Sequence, residues 1–133
     1  AYGEATVPKV TVTLRKSYGG AHDVMSCKQL RGDFNYAWPT AQIAVMGAKG
    51  AIEVLYSKEV AAITDPEAKA KFIAEKEEEY NHAFANPYKA ASYGYIDDVI
   101  EPRNTRFRVI RAFQSLQTKR VTNPMKKHSN IPL

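Results

Sequence analysis

The sequence is short of the features that announce most kinds of chemistry. It has a single cysteine, Cys27, among 133 residues. That excludes an internal disulfide and a cysteine-built metal centre, and it fits a reducing compartment such as the cytoplasm or a mitochondrial matrix. No apolar run approaches the roughly 20 residues of a membrane-spanning helix. Ser17 and Cys27 lie in no Gly-x-Ser-x-Gly elbow, so neither has the surroundings of an activated nucleophile. No Gly-x-x-x-x-Gly-Lys cradle for phosphate occurs. His22, His82 and His128 fall in three different predicted elements, none with a second ligand at i+3 or i+4, so no metal is expected.

Acidic residues are also missing where they would balance charge. Residues 102–133 hold 8 of the 19 basic side chains and none of the 14 acidic ones, while residues 1–101 carry the remainder and a small net negative charge. Such a segment can meet phosphate, nucleic acid or an acidic subunit. No aromatic platform interleaves its basic residues, so nucleic acid is not expected as a partner. It reads as a basic surface helix with a basic tail.

What is present is ordinary globular material, 44% hydrophobic and 11% aromatic, enough for one domain or part of a larger one. Val7 to Arg15 alternates apolar and polar residues and predicts a strand. Glycines 19 and 20 interrupt it, and residues 21–30 resume at helical spacing. Phe34 to Trp38 predicts a second strand, closed by Pro39. From Thr40 the chain runs extended to Met46, then helical from near Gly47 to about Tyr56. Small residues at 44, 47, 48 and 51 predict close approach by another backbone. Thr64 or Asp65 caps a long helix whose stripe is Phe72, Ile73, Lys76, Tyr80, Ala83 and Phe84. Glu75, Glu77, Glu78 and Glu79 face water. Asn86-Pro87 ends it. Residues 92–100 predict a short strand around a turn. Its neighbours Asp97 and Asp98 face opposite ways, and one of them caps or pairs with an arginine. A last helix opens at Glu101-Pro102, with Phe107, Ile110 and Phe113 at helical spacing, and residues 121–133 predict an extended arm. Strands alternating with helices give an α/β or mixed layered fold.

The strongest local candidate for chemistry is Ser17-Tyr18-Gly19-Gly20-Ala21-His22-Asp23. A strand that runs through glycines into a helix leaves backbone N–H groups without partners. With no bulk at Gly20 or Ala21, a substrate oxygen can reach those donors, an arrangement suited to an enolate or a developing ureido oxygen. His22 beside Asp23 hints at acid–base work, but adjacent helical residues point about 100° apart. Cys27 reads as a small buried hydrophobe.

Several segments, read together and in order, resemble one family. They are Val7-Pro8-Lys9-Val10-Thr11-Val12, Arg15 to Ala21, Tyr36-Ala37-Trp38-Pro39-Thr40-Ala41, Ala44 to Ala51, and the ending Lys126 to Leu133. The set looks like the C-terminal part of the carboxyltransferase subunits of biotin-dependent acyl-CoA carboxylases. It is similar to propionyl-CoA carboxylase and to its relatives methylmalonyl-CoA decarboxylase and transcarboxylase. The resemblance implies a crotonase-type spiral of strand-strand-helix turns, with residues 1–133 forming the later, biotin-side part of a second domain. The opening residues Tyr2 to Thr6, which read like the end of a helix begun upstream, agree with a partial domain. It implies transfer of CO2 from carboxybiotin to the α-carbon of an acyl-CoA, with biotin on a separate carrier protein and a biotin carboxylase subunit as partner. It also implies a hexamer when full length, and no activity for this portion alone. On that resemblance Gly20 and Ala21 supply a backbone oxyanion hole, Gly19 belongs to the same substrate-binding turn, and Asp23 stands beside the acyl pocket and tunes chain length. His22 replaces a common tyrosine, and Ser129 a common glycine.

Overall fold

The structure, a computed structural model, describes residues 1–123. The arm expected over 121–133, the ending Lys126 to Leu133 and His128 therefore lie wholly or mostly outside the described residues.

Five short strands, six α-helices and two 3-10 turns make up the described chain. Strand β1 (Val10–Thr13), β3 (Phe34–Ala37) and β5 (Asp98–Val99) form one parallel sheet in that order, with Val10 opposite Phe34 and Tyr36 opposite Asp98. Strand β2 (Lys16–Tyr18) pairs in parallel with β4 (Gln42–Ala44) in a separate two-stranded sheet. Parallel neighbours need crossovers, and helices supply them. Helix α1 (Gly19–Val24) and a 3-10 turn at Lys28–Leu30 connect β2 to β3. Helices α2 (Ala48–Leu55), α3 (Ser57–Ala62), α4 (Pro66–Ala83) and α5 (Pro87–Ser92) lie between β4 and β5. A 3-10 turn at Pro102–Asn104 leads into α6 (Thr105–Ser115).

The two β-branched, alternating stretches form strands as expected, because their apolar faces meet a shared core. Tyr36, Ile100 and Ala112 form one buried cluster, with Val10, Val12 and Trp38 packed on it. Ala37, Ala41, Ile43, Ala90 and Ile96 form a second, which joins the two sheets through α5. The Trp38 indole N–H donates to Thr105 Oγ1 at 2.8 Å, tying α6 to the end of β3. Asp65 caps α4 by accepting the Ala68 N–H at 3.0 Å, with Pro66 in the first turn.

Some expectations need correction. The helix expected over 21–30 stops at Val24, because Ser26 takes a left-handed φ of 69°. Asn86-Pro87 ends α4 but at once starts α5, with the Asn86 side chain accepting the Lys89 N–H. The strand around residues 92–100 shrinks to Asp98–Val99. Of the two acidic neighbours there, Asp98 pairs with an arginine, Arg108, as expected, and Asp97 pairs with Lys28 as well. The small residues after β4 do admit a close neighbour, but at Gly47 it is the Tyr18 ring, 3.3 Å from where a Cβ would stand. On α6 the buried residue is Ala112, while Phe107, Ile110 and Phe113 are exposed. Glu77 is half-buried rather than fully in water.

The start and the end of the described chain are fastened together. Lys119 Nζ donates to Val7 O at 2.9 Å and to Asp33 Oδ2 at 2.7 Å, and Asn123 Nδ2 donates to Glu4 O. Asp33 also accepts the Lys9 N–H, and the Lys9 ammonium donates to Tyr2 O. Burial would raise the Asp33 pKa, but the hydrogen bonds from Lys119 and the Lys9 backbone outweigh it and hold the carboxyl below its ordinary value. Burial, and then the charge of Lys119, push the Lys9 ammonium down.

Candidate functional site

The glycine turn opens onto the main cavity of the described chain, of about 770 Å³. Gly19, Gly20, His22 and Asp23 line one side, with Ile43, Ala44 and Val45 from β4 and its exit. Leu55 at the end of α2, Tyr80 and Phe84 near the end of α4, and Lys89 with Tyr93 and Tyr95 around α5 complete it. Its charged side chains are Asp23 and Lys89, and Lys89 Nζ lies 5.0 Å above the Tyr93 ring.

The two glycines have different reasons to be glycine. Gly19 has φ of +51°, and a Cβ there would sit 2.9 Å from the Val45 carbonyl oxygen. Only glycine fits without strain. Gly20 has an ordinary backbone conformation and nothing within 4 Å of a Cβ position. Its missing side chain leaves open space at the edge of the cavity. Tyr18 precedes α1 in extended conformation and gives no side-chain cap. Gly20 and Ala21 stand in the first turn of α1, where backbone N–H groups have no helical partner behind them. Both residues are exposed, and donors in such a first turn are of the kind a backbone oxyanion hole uses.

Helix α1 is held in place from below. Tyr18 Oη donates to Gln42 Oε1 at 2.5 Å across the small sheet, and its ring packs on Gly47. Ser17 Oγ and His22 Nδ1 are 2.9 Å apart, so β2 clamps the histidine ring. Below α1 the Cys27 N–H reaches back to Asp23 O at 3.4 Å. Cys27 is buried, as expected of a small hydrophobe.

The structure adds one grouping to this region that counting from the histidines does not reach. Partners at i+3 or i+4 from each histidine are absent, which leaves no metal-ligand grouping on that count. Asp23 and the buried Cys27 are themselves four residues apart, however, and tied by that backbone hydrogen bond. Donor atoms of His22, Asp23 and Cys27 all lie within 4.8 Å of one another. His82 takes no part in this cluster. Leu55, Phe84, Lys89 and Tyr93 are cavity walls that sequence reasoning misses. The Asn86-Pro87 cap signal, followed into α5, points to Lys89.

The same turn and cavity belong to a chain with clear relatives. Residues 1–131 match the family model described as carboxyl transferase domain. The chain belongs to that family. It is 62% identical over its full length to the propionyl-CoA carboxylase beta chain of Cereibacter sphaeroides, and covers 25% of that protein. It is 52% identical, again over its full length, to the methylmalonyl-CoA decarboxylase subunit alpha of Propionigenium modestum, with 25% of that protein covered. Among solved structures, transcarboxylase 12S superposes with a TM-score of 0.85 at 52% identity, over 99% of this chain and 25% of that one. Transcarboxylase 12S is a hexamer there, with methylmalonyl-coenzyme A and methylmalonic acid bound. The chain spans about a quarter of the length of the curated relatives it matches. Its parallel strands and crossover helices are a portion of the crotonase-like carboxyltransferase fold. Among the described residues no helix is long and apolar enough to cross a membrane.

Proposed function

We propose that this chain is the biotin-side part of a carboxyltransferase subunit that moves CO2 from carboxybiotin to the α-carbon of propionyl-CoA, giving methylmalonyl-CoA. The observation that carries the proposal is the Gly20-Ala21 turn at the start of α1, with open space where a Gly20 side chain would stand and Gly20 lining a largely apolar cavity, in a chain of the carboxyl transferase family. The chain's place in the later part of the second domain belongs to the same proposal, as do a biotin carrier and a biotin carboxylase subunit as partners and a hexameric whole.

The residues fit the chemistry expected of them. Carboxybiotin supplies an activated CO2 and, once that is released, a base for the α-proton of the acyl-CoA. The Gly20 and Ala21 N–H groups hold the ureido oxygen and favour the form that carries negative charge there. Gly20, having no side chain, lets that oxygen approach. Gly19 sets the angle at which α1 leaves β2, and so aims the donors. Ile43, Val45, Leu55 and Phe84 give the cavity apolar walls, which strengthen the electrostatics within it. Asp23 stands at the cavity wall where the length of an acyl chain would be sensed. The same residues serve decarboxylation of methylmalonyl-CoA or transfer to another acceptor, since those reactions differ in the partners that supply or remove the carboxyl group.

Gly20→Val in the full-length subunit, assembled with its carboxylated biotin carrier, tests this. An isopropyl group fills the open space before the donors, and loss of one such donor lowers turnover by about 10²–10³-fold. Carboxyl transfer to propionyl-CoA is expected to fall by that factor while size-exclusion chromatography shows an unchanged assembly. Turnover near wild type would overturn the assignment.

A further inference from the structure

We propose that His22, Asp23 and Cys27 form a binding site for a divalent cation of the zinc class. The three side chains offer one nitrogen, one carboxylate oxygen and one sulfur, all within 4.8 Å of one another. A tetrahedral zinc holds such atoms about 3.3–3.6 Å apart, from bond lengths of about 2.0–2.3 Å. The donor atoms thus have to close by no more than about 1.5 Å, which rotation of the exposed Asp23 side chain can begin. Cys27 is buried at the floor and His22 is half-buried, whereas Asp23 is exposed and is the ligand free to swing onto the ion.

Three features make the group more than a chance cluster. Asp23 and Cys27, four residues apart, are tied by the Cys27 N–H to Asp23 O hydrogen bond across the end of α1. The left-handed turn at Ser26 then follows the end of the helix, and the buried Cys27 comes next, its sulfur within 4.8 Å of the His22 and Asp23 donors. His22 has a supporting partner of the kind that metal-ligating histidines need, since Ser17 Oγ holds Nδ1 at 2.9 Å and fixes the ring. Thiolate with imidazole selects zinc or a similar borderline-soft ion over magnesium or calcium, which take oxygen ligands. Three protein ligands leave the fourth position to water, as in an open zinc site.

Occupancy has a consequence for the neighbouring turn. Asp23 lines the cavity beside Gly20, and a bound ion takes its carboxylate away from that space. Zinc therefore lowers carboxyl transfer, a consequence that rests on the function proposed above, whereas the binding itself does not.

The test uses the assembled full-length enzyme, stripped with a chelator and titrated with zinc against a chromophoric competitor, and separately with cobalt. Wild type is expected to take one ion per subunit and, with cobalt, to show a thiolate charge-transfer band. Cys27→Ser should lose the band and bind zinc at least tenfold more weakly. His22→Gln, whose substitution lies outside the buried floor, should also weaken binding at least tenfold, and it serves if the cysteine variant fails to assemble. Equal zinc affinity in wild type and both variants, or no uptake by wild type at micromolar zinc, would overturn the site. Zinc inhibition, taken relative to each protein's own zinc-free rate, should be relieved in Cys27→Ser. Binding through Cys27 without inhibition would leave the site standing and overturn its coupling to the cavity.

Discussion

Replacing each glycine of the turn by alanine separates a residue kept for its backbone from one kept for its emptiness. At Gly19 an alanine must hold φ near +51°, which costs an L-residue about 1–2 kcal/mol. Its Cβ also stands 2.9 Å from the Val45 carbonyl oxygen, a backbone atom that cannot swing aside. Overpacking of that kind adds about 1–3 kcal/mol. Gly19→Ala should thus destabilise the region by about 2–5 kcal/mol in all. At Gly20 the new methyl meets nothing within 4 Å. There the loss of unfolded-state freedom should stabilise by about 0.4–1 kcal/mol. Hydrogen exchange at the amides of β2, β4 and α1 in the full-length subunit reads both effects locally, without requiring reversible unfolding of a large protein. Protection should fall in Gly19→Ala and hold or rise in Gly20→Ala. Equal loss in the two variants would refute the reasoning, because Gly20 would then be needed by the fold and not left bare for a ligand.

Other outcomes follow from the sheet and its ties. Asp33 has a folded-state pKa below its unfolded one, so it contributes stability above the ordinary carboxylate value that is lost as pH falls through the folded value. Asp33→Asn should be less stable than wild type at neutral pH, with the gap in melting temperature closing as the pH is lowered from about 5 to about 3. A gap that stays constant would mean that the Asp33 charge does not supply it. Asp97 Oδ2 accepts the N–H of the buried Asn35 at 2.8 Å, so Asp97→Ala should cost about 1–3 kcal/mol. Asp97→Asn, which retains an acceptor oxygen, should recover much of that in thermal unfolding.

The fold is readable in the sequence wherever a local pattern meets no tertiary rival. Strands β1 and β3 alternate and carry β-branched or aromatic residues, and Thr64-Asp65-Pro66 marks the start of α4, with the structure choosing Asp65 as the cap. Helix α2 begins beside Gly47, as its small residues and the preceding extended run suggest. The failures have physical causes. Nothing in the type of Ser26 announces a left-handed backbone, so helical spacing alone carries α1 too far. A proline after asparagine signals both an end and a beginning, and the long stripe before it points only to the end. Strand β5 is two residues long and exists because β3 offers it an edge, a fact no window of sequence contains. Of the candidate site, Gly20 and Ala21 are visible because a glycine turn between strand and helix is a local event. The walls formed by Leu55, Phe84 and Tyr93 are not, since the chain reaches them through further helices. The metal-ligand cluster hides for a simpler reason: spacing counted from histidines passes over its regular pair, Asp23 with Cys27.

The fastening of Lys119 to Val7 and Asp33 bears on when this part of the chain can finish folding. The partners are 112 and 86 residues apart, and Asn123 reaches Glu4 across 119. Contacts that distant must overcome the entropy of closing a long loop before they return anything. During synthesis the first strand emerges long before the lysine that completes its surroundings. Until then Asp33 has no Lys119 beside it, and the sheet edge at Lys9 is open. The staple therefore closes one end of the sheet with a residue that leaves the ribosome only after those of β5 and α6.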